Sequence, residues 1–459
     1  MVKDKIKIKL KALIKSPNFN SISASVASII IGLVFGLLLL MIININFSMS
    51  GFLKILVGGF SSLSSIGEVL YMAVPILMTG LSVGFAFKTG LFNIGASGQF
   101  FLGGFFALYA AIIWQFPWYL SLLCAMVGGA LIGSLPGIFK AFFNVNEVIT
   151  SIMLNWISLF AVNLMCRNTP SMLGNPSDKV LSLETLGNPS IMIPDWGLKE
   201  IFNTSFMNIS IFITIAIAIV IYLILNKTTF GYELKACGLN KNAAKYAGIS
   251  AKRNIILSMV IAGALAGIGG GLRYLAGPVQ LAVTNDLVAE GFNGIPVALL
   301  AYSNPIGIIF SALFLSYITV GGDALQPEFS REIITIIISV IIYLSAFSLL
   351  FRDVIARLFA IKGKKALKAA DVANAVDDSL TGGGTVKPNI NKPIEAMNEG
   401  VKQDINVVDR QGSVKKEGKK QDIKEKKSSK FKNLINNIKK KFSKNKSKDT
   451  TKNTEEDKK

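Results

Sequence analysis

Residues 24–47 read ASVASIIIGLVFGLLLLMIININF, contain no charged side chain, and follow residues 1–20, which carry six Lys and one Asp. A helix of about 20 apolar residues crosses a bilayer. The apolar region of a cleaved signal peptide is shorter, about 7–15 residues. Because this stretch is longer and has no evident cleavage site, it predicts a transmembrane helix that is retained.

The composition outside this stretch is also typical of a membrane protein. Of the 459 residues, 51% are hydrophobic and 17% charged, and the mean hydropathy is +0.51. Residues 361–459 hold 26 Lys or Arg and 14 Asp or Glu, whereas residues 21–360 hold only 16 and 13. A soluble domain is about a quarter charged. We therefore expect an all-α integral membrane protein with a basic cytoplasmic N-terminus (1–23), a transmembrane domain (24–361) and a basic, mostly disordered cytoplasmic tail (362–459).

Nine further apolar stretches are long enough to be spans, so the sequence predicts about ten transmembrane helices. They cover residues 67–87, 97–114, 118–139, 147–166, 207–226, 254–275, 287–303, 304–321 and 332–351. The stretch 287–303 is the weakest, because it contains Gly291, Gly294 and Pro296. It either spans the membrane or re-enters it.

The basic residues of the loops predict the orientation. The loop 227–253 holds six of them: Lys227, Lys235, Lys241, Lys245, Lys252 and Arg253. Cytoplasmic loops carry the excess of Lys and Arg. With this loop inside after six spans, both termini are predicted to be cytoplasmic and the loop 167–206 to lie outside. The outside loop is either a solvated connector or a docking surface for an outside partner.

Residue types that the chain lacks exclude several chemistries. It contains no His, and its three Cys are scattered, so His catalysis and the common metal sites are excluded. It has no GxxxxGK[ST] phosphate loop, since Phe87 precedes Lys88-Thr89 where glycine is needed. We therefore expect no enzymatic activity, no cofactor and no metal, with any ATP hydrolysis on a separate subunit. The basic excess lies in tails beside apolar spans, which indicates membrane orientation and not nucleic-acid binding.

Polar residues within the spans are uncharged. No Asp, Glu, Lys or Arg lies in the middle of a predicted span, which argues against a proton-coupled carrier but leaves sodium coupling open. Ser151, Asn155 and Ser158 share one face of the span 147–166, and Asn93 and Gln99 flank the start of the span 97–114. Such residues either make interhelical hydrogen bonds, worth about 0.6–2 kcal/mol each, or line a polar translocation path.

Two sets of glycines recur every four residues and predict close helix packing. They are Gly129, Gly133, Gly137 and Gly263, Gly267, Gly271. Each set lies on one helix face, where the missing side chain lets a neighbouring helix approach.

The loop 227–253 contains a candidate coupling helix. Asn240 is a favourable N-cap and Gly248 a favourable C′ residue, with about two helical turns between them. Ala243, Ala244 and Ala247 give this helix a small-residue face. The helix either fits a groove of a cytoplasmic partner or is an ordinary surface helix.

Several strings resemble known transport proteins. The loop sequence GYELKACGLNKNAAKYAGI (231–249), followed by the glycine-rich span 254–275, resembles the coupling loop of ribose/branched-chain-amino-acid-type ABC permeases. The strings GLFNIGASGQF (90–100), NEVITSIMLNWI (146–157) and GFNGIPVALLAYSNPIG (291–307) resemble the subgroup that imports nucleosides with a basic-membrane-lipoprotein-type binding protein. Ser97 departs from the acidic residue that this pattern leads us to expect.

The resemblance implies a permease subunit at the plasma membrane. A lipoprotein outside captures the substrate, two permease chains form the path, and two ATPase domains bind the cytoplasmic coupling helices. The second permease of this subgroup is often a shorter paralogue. Together with the polar stripe, the matching motif positions make five residues the candidates for the path: Asn93, Gln99, Ser151, Asn155 and Asn293. The coupling helix corresponds to Asn240, Ala243, Ala244, Ala247 and Gly248.

Other functions stay open at this point. The same machine could carry a ribose-type sugar or a branched-chain amino acid. A self-contained secondary carrier or channel is a different class, which inverted repeats or an ion site at mid-membrane would favour, and the sequence shows neither. A membrane scaffold that acts through its basic tail is the fourth alternative.

Overall fold

The structure is a computed structural model that describes residues 17–173, 179–326 and 328–346. Within these ranges it contains 14 α-helices and no strand, which confirms the all-α prediction. In chain order the helices are α1 (Pro17–Ile43), α2 (Ile45–Gly58), α3 (Leu63–Lys88), α4 (Ala96–Ile112), α5 (Trp118–Phe143), α6 (Glu147–Asn168), α7 (Leu198–Phe202), α8 (Ser210–Lys227), α9 (Thr229–Leu239), α10 (Lys241–Tyr246), α11 (Ala251–Tyr274), α12 (Ala289–Leu300), α13 (Pro305–Asp323) and α14 (Arg331–Ala346). The predicted tail, 362–459, and residues 1–16 of the predicted N-terminal segment lie outside the described residues.

Seven helices in the described part of the chain are long and apolar enough to cross a membrane. They are α3, α5, α6, α8, α11, α13 and residues Ser25–Ile43 of α1. Three apolar helices are shorter: α2, α4 and the part of α14 from Glu332 to Leu344. The stretch 287–303, which the sequence left undecided, contains only the 12-residue α12. The number of ten spans and their orientation stay predictions.

The first predicted span ends earlier than expected. The sequence suggested one helix over 24–47, but α1 ends at Ile43 and Asn44 begins a new helix. The Asn44 side chain accepts a hydrogen bond from the backbone N–H of Asn46, 3.2 Å away, and so acts as the N-cap of α2. Asn side chains compete in this way with helix continuation. The sequence did not show this break, because the residues on both sides of Asn44 are apolar.

The helix α2 is attached to the connection between α13 and α14. Lys54 forms an ion pair with Glu328 at 2.7 Å, and this hydrogen bond lowers the pKa of the Glu328 carboxyl below its ordinary value. Beneath the pair, an apolar cluster joins α1, α2, α13 and α14 and includes Leu40, Ile55 and Ile318. A pair this exposed contributes little to stability, so the apolar cluster carries most of the attachment.

The centre of the bundle is built on the contact of α5 with α11. A Cβ atom on Gly129 would overlap the carbonyl oxygen of Gly263, and one on Gly133 would lie 2.8 Å from the Cα of Gly263. Gly267 faces Gly129 and the carbonyl oxygen of Ala125 in the same way. The two backbones therefore touch, and the predicted packing role of the glycine stripes is confirmed.

The two ends of the bundle can be told apart by their loops. Gly90, just after α3, packs on Gly238, and Lys252 lies 5.0 Å from the ring centre of Phe142 near the end of α5. The ends of α3 and α5 and the starts of α6 and α11 therefore lie on the side that carries residues 228–250, which we call the loop end. At the opposite end, Gly67 of α3 packs on Phe202.

We expect Gly129→Val to destabilise the bundle strongly, because its side chain must displace the backbone of α11 and not a flexible side chain. Overpacking of a core typically costs about 1–3 kcal/mol of stability. We expect a cost at or above the upper value here, because the atoms that face Gly129 belong to the backbone of α11 and cannot rotate away. Ala130→Val, at the next and half-exposed position, is the matched control. Thermal unfolding of the purified proteins measures both, and equal melting temperatures would contradict the packing role.

Candidate functional site

The helix α4 begins inside the bundle and not at its surface. The backbone N–H of Gly98, the third residue of α4, donates to Oδ1 of Asn155 at 2.8 Å, and Asn155 Nδ2 donates to the carbonyl oxygen of Ile94 at 3.0 Å. Asn155 lies eight residues into α6, which corresponds to a depth of about 12 Å at 1.5 Å per residue. Residues 89–95 therefore run from the loop end into the bundle without forming a helix.

Asn155 replaces a missing cap. The N-cap position of α4 is Gly95, which offers no side-chain acceptor. The first N–H groups of a helix need acceptors from outside the helix, and a side-chain oxygen of Ser, Thr, Asp or Asn is the usual one. Here the acceptor for Gly98 comes from another helix. The polar face of α6 is thus turned to the interrupted backbone.

The helix α12 also begins inside the bundle, beside the start of α4. Thr79 donates to the carbonyl oxygen of Glu290 at 2.9 Å, and Thr79 lies nine residues from the loop end of α3, about 13 Å by the helical rise. Ser97 Oγ donates to the carbonyl oxygen of Val288 at 2.8 Å. A Cβ on Gly291 would overlap the backbone of Ser97. The starts of two helices therefore meet at similar depth.

A buried amide pair closes the interrupted segment between α3 and α4. Asn93 Nδ2 donates to Gln99 Oε1 at 2.8 Å and to Ser82 Oγ at 2.9 Å, and Gln99 Nε2 donates back to Asn93 Oδ1 at 3.0 Å. Both side chains are 0% exposed. Because each amide satisfies the other, the pair holds the non-helical turn in place without water.

Two serines on the same face of α6 remain without such partners. Among the described residues, the hydroxyls of Ser151 and Ser158 are buried and have no hydrogen-bond partner. Their Cβ atoms lie 3.2 and 3.1 Å from the positions of a Cβ on Gly95 and Gly98, at the start of α4. A buried hydroxyl without a partner is costly, so these two are the side-chain groups of the site whose hydrogen bonds the protein leaves unmade.

Four of the five predicted path residues therefore come together around the start of α4: Asn93, Gln99, Ser151 and Asn155. Asn293 lies on the neighbouring α12 and is half-buried. Hydrogen bonds within the protein already satisfy the amides of Asn93, Gln99 and Asn155, which gives these three a structural role. A role in the path stays a prediction for all five.

An ion pair next to this site went unnoticed in the sequence. Arg273, in the last turn of α11, contacts Glu290, in the first turn of α12, at 2.7 Å, and their side chains are 15% and 22% exposed. The sequence placed both residues near span ends. Because α12 begins inside the bundle, Glu290 in its first turn lies deeper in the bundle than its position near the end of a predicted span suggests. The one available signal is Pro296 with Gly291 and Gly294, which marks the stretch as an unusual span.

The predicted coupling helix is present and shorter than expected. Oδ1 of Asn240 accepts hydrogen bonds from the backbone N–H groups of Asn242 and Ala243, both at 3.0 Å, and Gly248 has the positive φ of a helix C-terminus, +81°. The helical residues are Lys241–Tyr246. Ala243 and Ala247 are exposed, whereas Ala244 is buried against Cys237 and Ala251. The three alanines therefore do not form one shared face, because position 244 faces the rest of the loop.

Metal ligands are not grouped in the described ranges. No cluster of three or more His, Cys, Asp or Glu that could hold a metal ion occurs there. The polar groups at the start of α4 are amides and hydroxyls, which bind neutral ligands through hydrogen bonds.

The fold and the site define a multi-pass membrane protein in which polar, non-helical segments interrupt helices inside the bundle. Such interruptions are tolerated where the backbone is enclosed by protein or lines a cavity, as in transporters. The chain belongs to the family described as "Branched-chain amino acid transport system / permease component", whose model matches residues 65–346. It is thus a transport component of the plasma membrane and not an enzyme.

Individual relatives cover most of the chain. It is similar to the nucleoside ABC transporter permease protein NupB of Lactococcus lactis, with 36% identity over 74% of this chain and 95% of that protein. It is similar to the guanosine ABC transporter permease protein NupP of Bacillus subtilis, with 34% identity over 72% and 94%. A glucose ABC transporter permease of Haloferax volcanii is 30% identical over 57% and 70%. No solved structure matches the chain.

We expect Asn155→Leu to lower the free energy of unfolding, because it leaves the N–H of Gly98 and the carbonyl of Ile94 without partners. Each buried group left unpaired costs about 1–3 kcal/mol. Ser151→Ala is the matched variant on the same face, since it removes a hydroxyl that has no protein partner and should leave stability unchanged. Thermal unfolding and uptake per molecule are measured for both. Reduced uptake by Ser151→Ala at normal stability supports the path, and unchanged uptake contradicts it for this residue.

We expect Arg273→Met and Glu290→Gln each to destabilise the protein, and the double variant to recover part of the loss. Removing one partner of a buried pair leaves a charge unpaired and costs about 3–5 kcal/mol when burial is complete. The partial exposure of this pair reduces the expected loss to about 1–3 kcal/mol. Lys54→Met, which breaks the more exposed pair with Glu328, should cost much less. Strictly additive effects of the two single variants would show that the contact does not stabilise the start of α12.

Proposed function

We propose that this chain is a permease subunit of an ATP-driven ABC importer and that its cargo is a nucleoside. The observation that carries this proposal is the similarity over 94–95% of the length of two relatives whose names are nucleoside and guanosine ABC transporter permease proteins. The cluster of buried amides and hydroxyls at the starts of α4 and α12 supports it. A nucleoside is neutral and rich in hydroxyls, and such a ligand is recognised by hydrogen bonds and not by charge.

The substrate path runs past the starts of α4 and α12 in this proposal. Asn93, Gln99 and Asn155 hold the interrupted backbone, and Ser151 and Asn293 are the groups that contact the cargo. We separate these two roles by their hydrogen bonds. The side-chain amides of the first three residues already have hydrogen-bond partners in the protein, whereas the Ser151 hydroxyl has none among the described residues. Gating motions of α4 or α12 would expose the first three only transiently.

ATP hydrolysis belongs to a separate subunit that binds the loop end. Tyr246, at the end of α10, is 94% exposed, and Leu239, at the end of α9, is 89% exposed. Two large apolar side chains this exposed in a basic polar loop are typical of a protein–protein contact. We assign this surface, together with Asn240, Ala243, Ala247 and Gly248, to the ATPase. The loop end is then cytoplasmic, in agreement with the positive-inside rule.

Two further partners complete the proposed machine. A substrate-binding lipoprotein delivers the cargo at the opposite end, where the described residues 169–173 and 179–209 lie between α6 and α8. A second permease chain forms the other half of the path. Bacillus subtilis has two guanosine permease proteins that both match this chain, which supports pairing with a paralogue.

The cargo is tested by uptake in cells that produce the chain together with a matching ABC ATPase and a substrate-binding lipoprotein. We expect labelled guanosine or another nucleoside to enter, and unlabelled nucleosides to compete where ribose and leucine do not. Deletion of the ATPase should abolish uptake. Uptake that persists without the ATPase would identify a secondary carrier. Competition by ribose or leucine, but not by nucleosides, would show that the cargo is a sugar or an amino acid and not a nucleoside.

The surface assigned to the ATPase is tested by placing charged side chains on it. Ala243→Arg and Tyr246→Asp should prevent the ATPase from co-purifying and should abolish uptake at normal membrane levels, because both positions are exposed on α10. Thr229→Arg, at an exposed position at the start of α9, is the control and should have little effect. Ala244→Arg should instead reduce the amount of folded protein, since this position is buried. Normal uptake by both Ala243→Arg and Tyr246→Asp would refute the assignment of α10.

A further inference from the structure

A cavity of about 620 Å³ lies at the loop end between α1 and α13, away from the starts of α4 and α12. One wall is formed by α1, the other by α13, and the turn that joins α12 to α13 closes the inner side. Its lining is Ser25, Val26, Ile29, Lys88, Leu300, Ala301, Tyr302, Asn304, Ile306, Gly307, Phe310, Ser311 and Phe314. No step of the proposed transport uses these residues.

Among the described residues that line this cavity, one side chain is charged. Lys88, the last residue of α3, is half-buried and donates to the carbonyl oxygen of Tyr302 at 3.2 Å. No carboxylate of the described residues forms an ion pair with it. Lys235 repels its charge. An ammonium group has three donors and burying it without an anion is unfavourable, so Lys88 has the capacity to bind an anion.

The turn next to Lys88 holds its acceptor in an unusual conformation. Tyr302 and Ser303 both have positive φ angles, +52° and +53°. Two consecutive non-glycine residues in this region cost about 1–2 kcal/mol each. The backbone N–H of Ser303 donates to the carbonyl oxygen of Ala298 at 2.7 Å, and Asn304 caps α13 by accepting from Ile306 at 3.0 Å. These bonds fix the direction of the Tyr302 carbonyl, and with it the position of the Lys88 ammonium group.

The walls formed by α1 and α13 are mostly apolar, with Ser25 and Ser311 as their polar residues, and their outer side chains are exposed. Val26 is 49% exposed and Phe310 is 69% exposed, and both lie on helices that are long and apolar enough to span a bilayer. Between them, Ile29, Ile306 and Phe314 continue the apolar surface into the cavity. The volume falls within the range of about 300–1,000 Å³ that is usual for small-molecule sites. One cation at the end of an apolar groove matches a molecule with an anionic head and hydrocarbon chains.

We propose that this cavity binds an anionic phospholipid, with its phosphate at Lys88 and its acyl chains along Val26, Ile29 and Phe310. Basic pockets between membrane helices bind such head groups. The orientation given under the proposed function places this lipid in the cytoplasmic leaflet of the membrane. The binding of the lipid does not depend on which cargo the protein transports. A bound lipid would attach α1 to α13, whereas the hydrogen bond of Ser25 Oγ to the carbonyl oxygen of Leu300 at 2.9 Å attaches α1 to the end of α12.

The proposal is tested by native mass spectrometry of the full chain, purified with the subunits that accompany it and titrated with lipid. We expect phosphatidylglycerol to bind more tightly than phosphatidylcholine. Lys88→Gln should reduce this preference about fivefold, because one Lys near an anionic head group contributes about 1 kcal/mol. Lys227→Gln removes the same charge from an exposed position on α8 and should leave the preference unchanged.

A second variant separates a phospholipid from a free anion. Val26→Trp leaves the charge of Lys88 intact and fills the mouth of the cavity, and it should weaken phosphatidylglycerol binding. Inorganic phosphate at millimolar concentration should not displace the lipid. Equal binding of both lipids by the unaltered protein, or no effect of Lys88→Gln, would overturn the proposal. If inorganic phosphate displaces phosphatidylglycerol and Val26→Trp binds phosphatidylglycerol normally, the site binds small anions and not a phospholipid. Normal nucleoside uptake in any of these cases would leave the proposed cargo untouched.

Discussion

Two helices of this protein begin inside the bundle, and their first N–H groups must find acceptors within the protein because hydrocarbon offers none. The tertiary hydrogen bond from Gly98 to Asn155 meets this requirement for α4, and the bonds of Thr79 and Ser97 position the backbone at the start of α12. The amide pair of Asn93 and Gln99 then holds the turn that leads into α4. The polar site exists because the chain is interrupted here.

The interruption in turn requires a rigid frame around it. The backbones of α5 and α11 touch along their glycines, which brings α11 close enough to pack on both α3 and α4. A helix contact without side chains has little freedom to slide, since any rotation brings side chains into the seam. The start of α4 therefore lies against helices that are packed closely together. A transport cycle has to move these helices as units or bend them at the non-helical segments 89–95 and 276–288.

The polar residues of α6 show how one pattern serves two purposes. Ser151, Asn155 and Ser158 follow the same face, yet only Asn155 makes hydrogen bonds with the protein. An amide offers both a donor and an acceptor and spans the gap to the backbone of α4, whereas a hydroxyl on its short side chain does not reach. A residue that stabilises the fold thus lies between two whose hydroxyls have no partner in the described part of the chain. Mutations on this face need a measurement of stability beside one of uptake.

The sequence by itself determined the features that depend on local composition and spacing. The apolar runs established an all-α membrane protein, the four-residue glycine spacing located two helix faces that pack closely, and Asn240 with Gly248 located the short helix of the loop 227–253. These features are local because a helix face or a cap is defined within a few residues. Tertiary structure alone decided that Asn44 divides the first apolar run, that Ala244 is buried, and that Arg273 meets Glu290. It also decided that α12 begins within the bundle. The break at Asn44 and the burial of Ala244 involve residues close in sequence, but an apolar run and a stretch of alanines do not indicate them. The start of α12 and its ion pair depend on residues far apart in the chain, since a hydrogen-bond partner or a counter-ion has no fixed distance in sequence. The depth at which a helix begins is set by the neighbours that satisfy its first N–H groups.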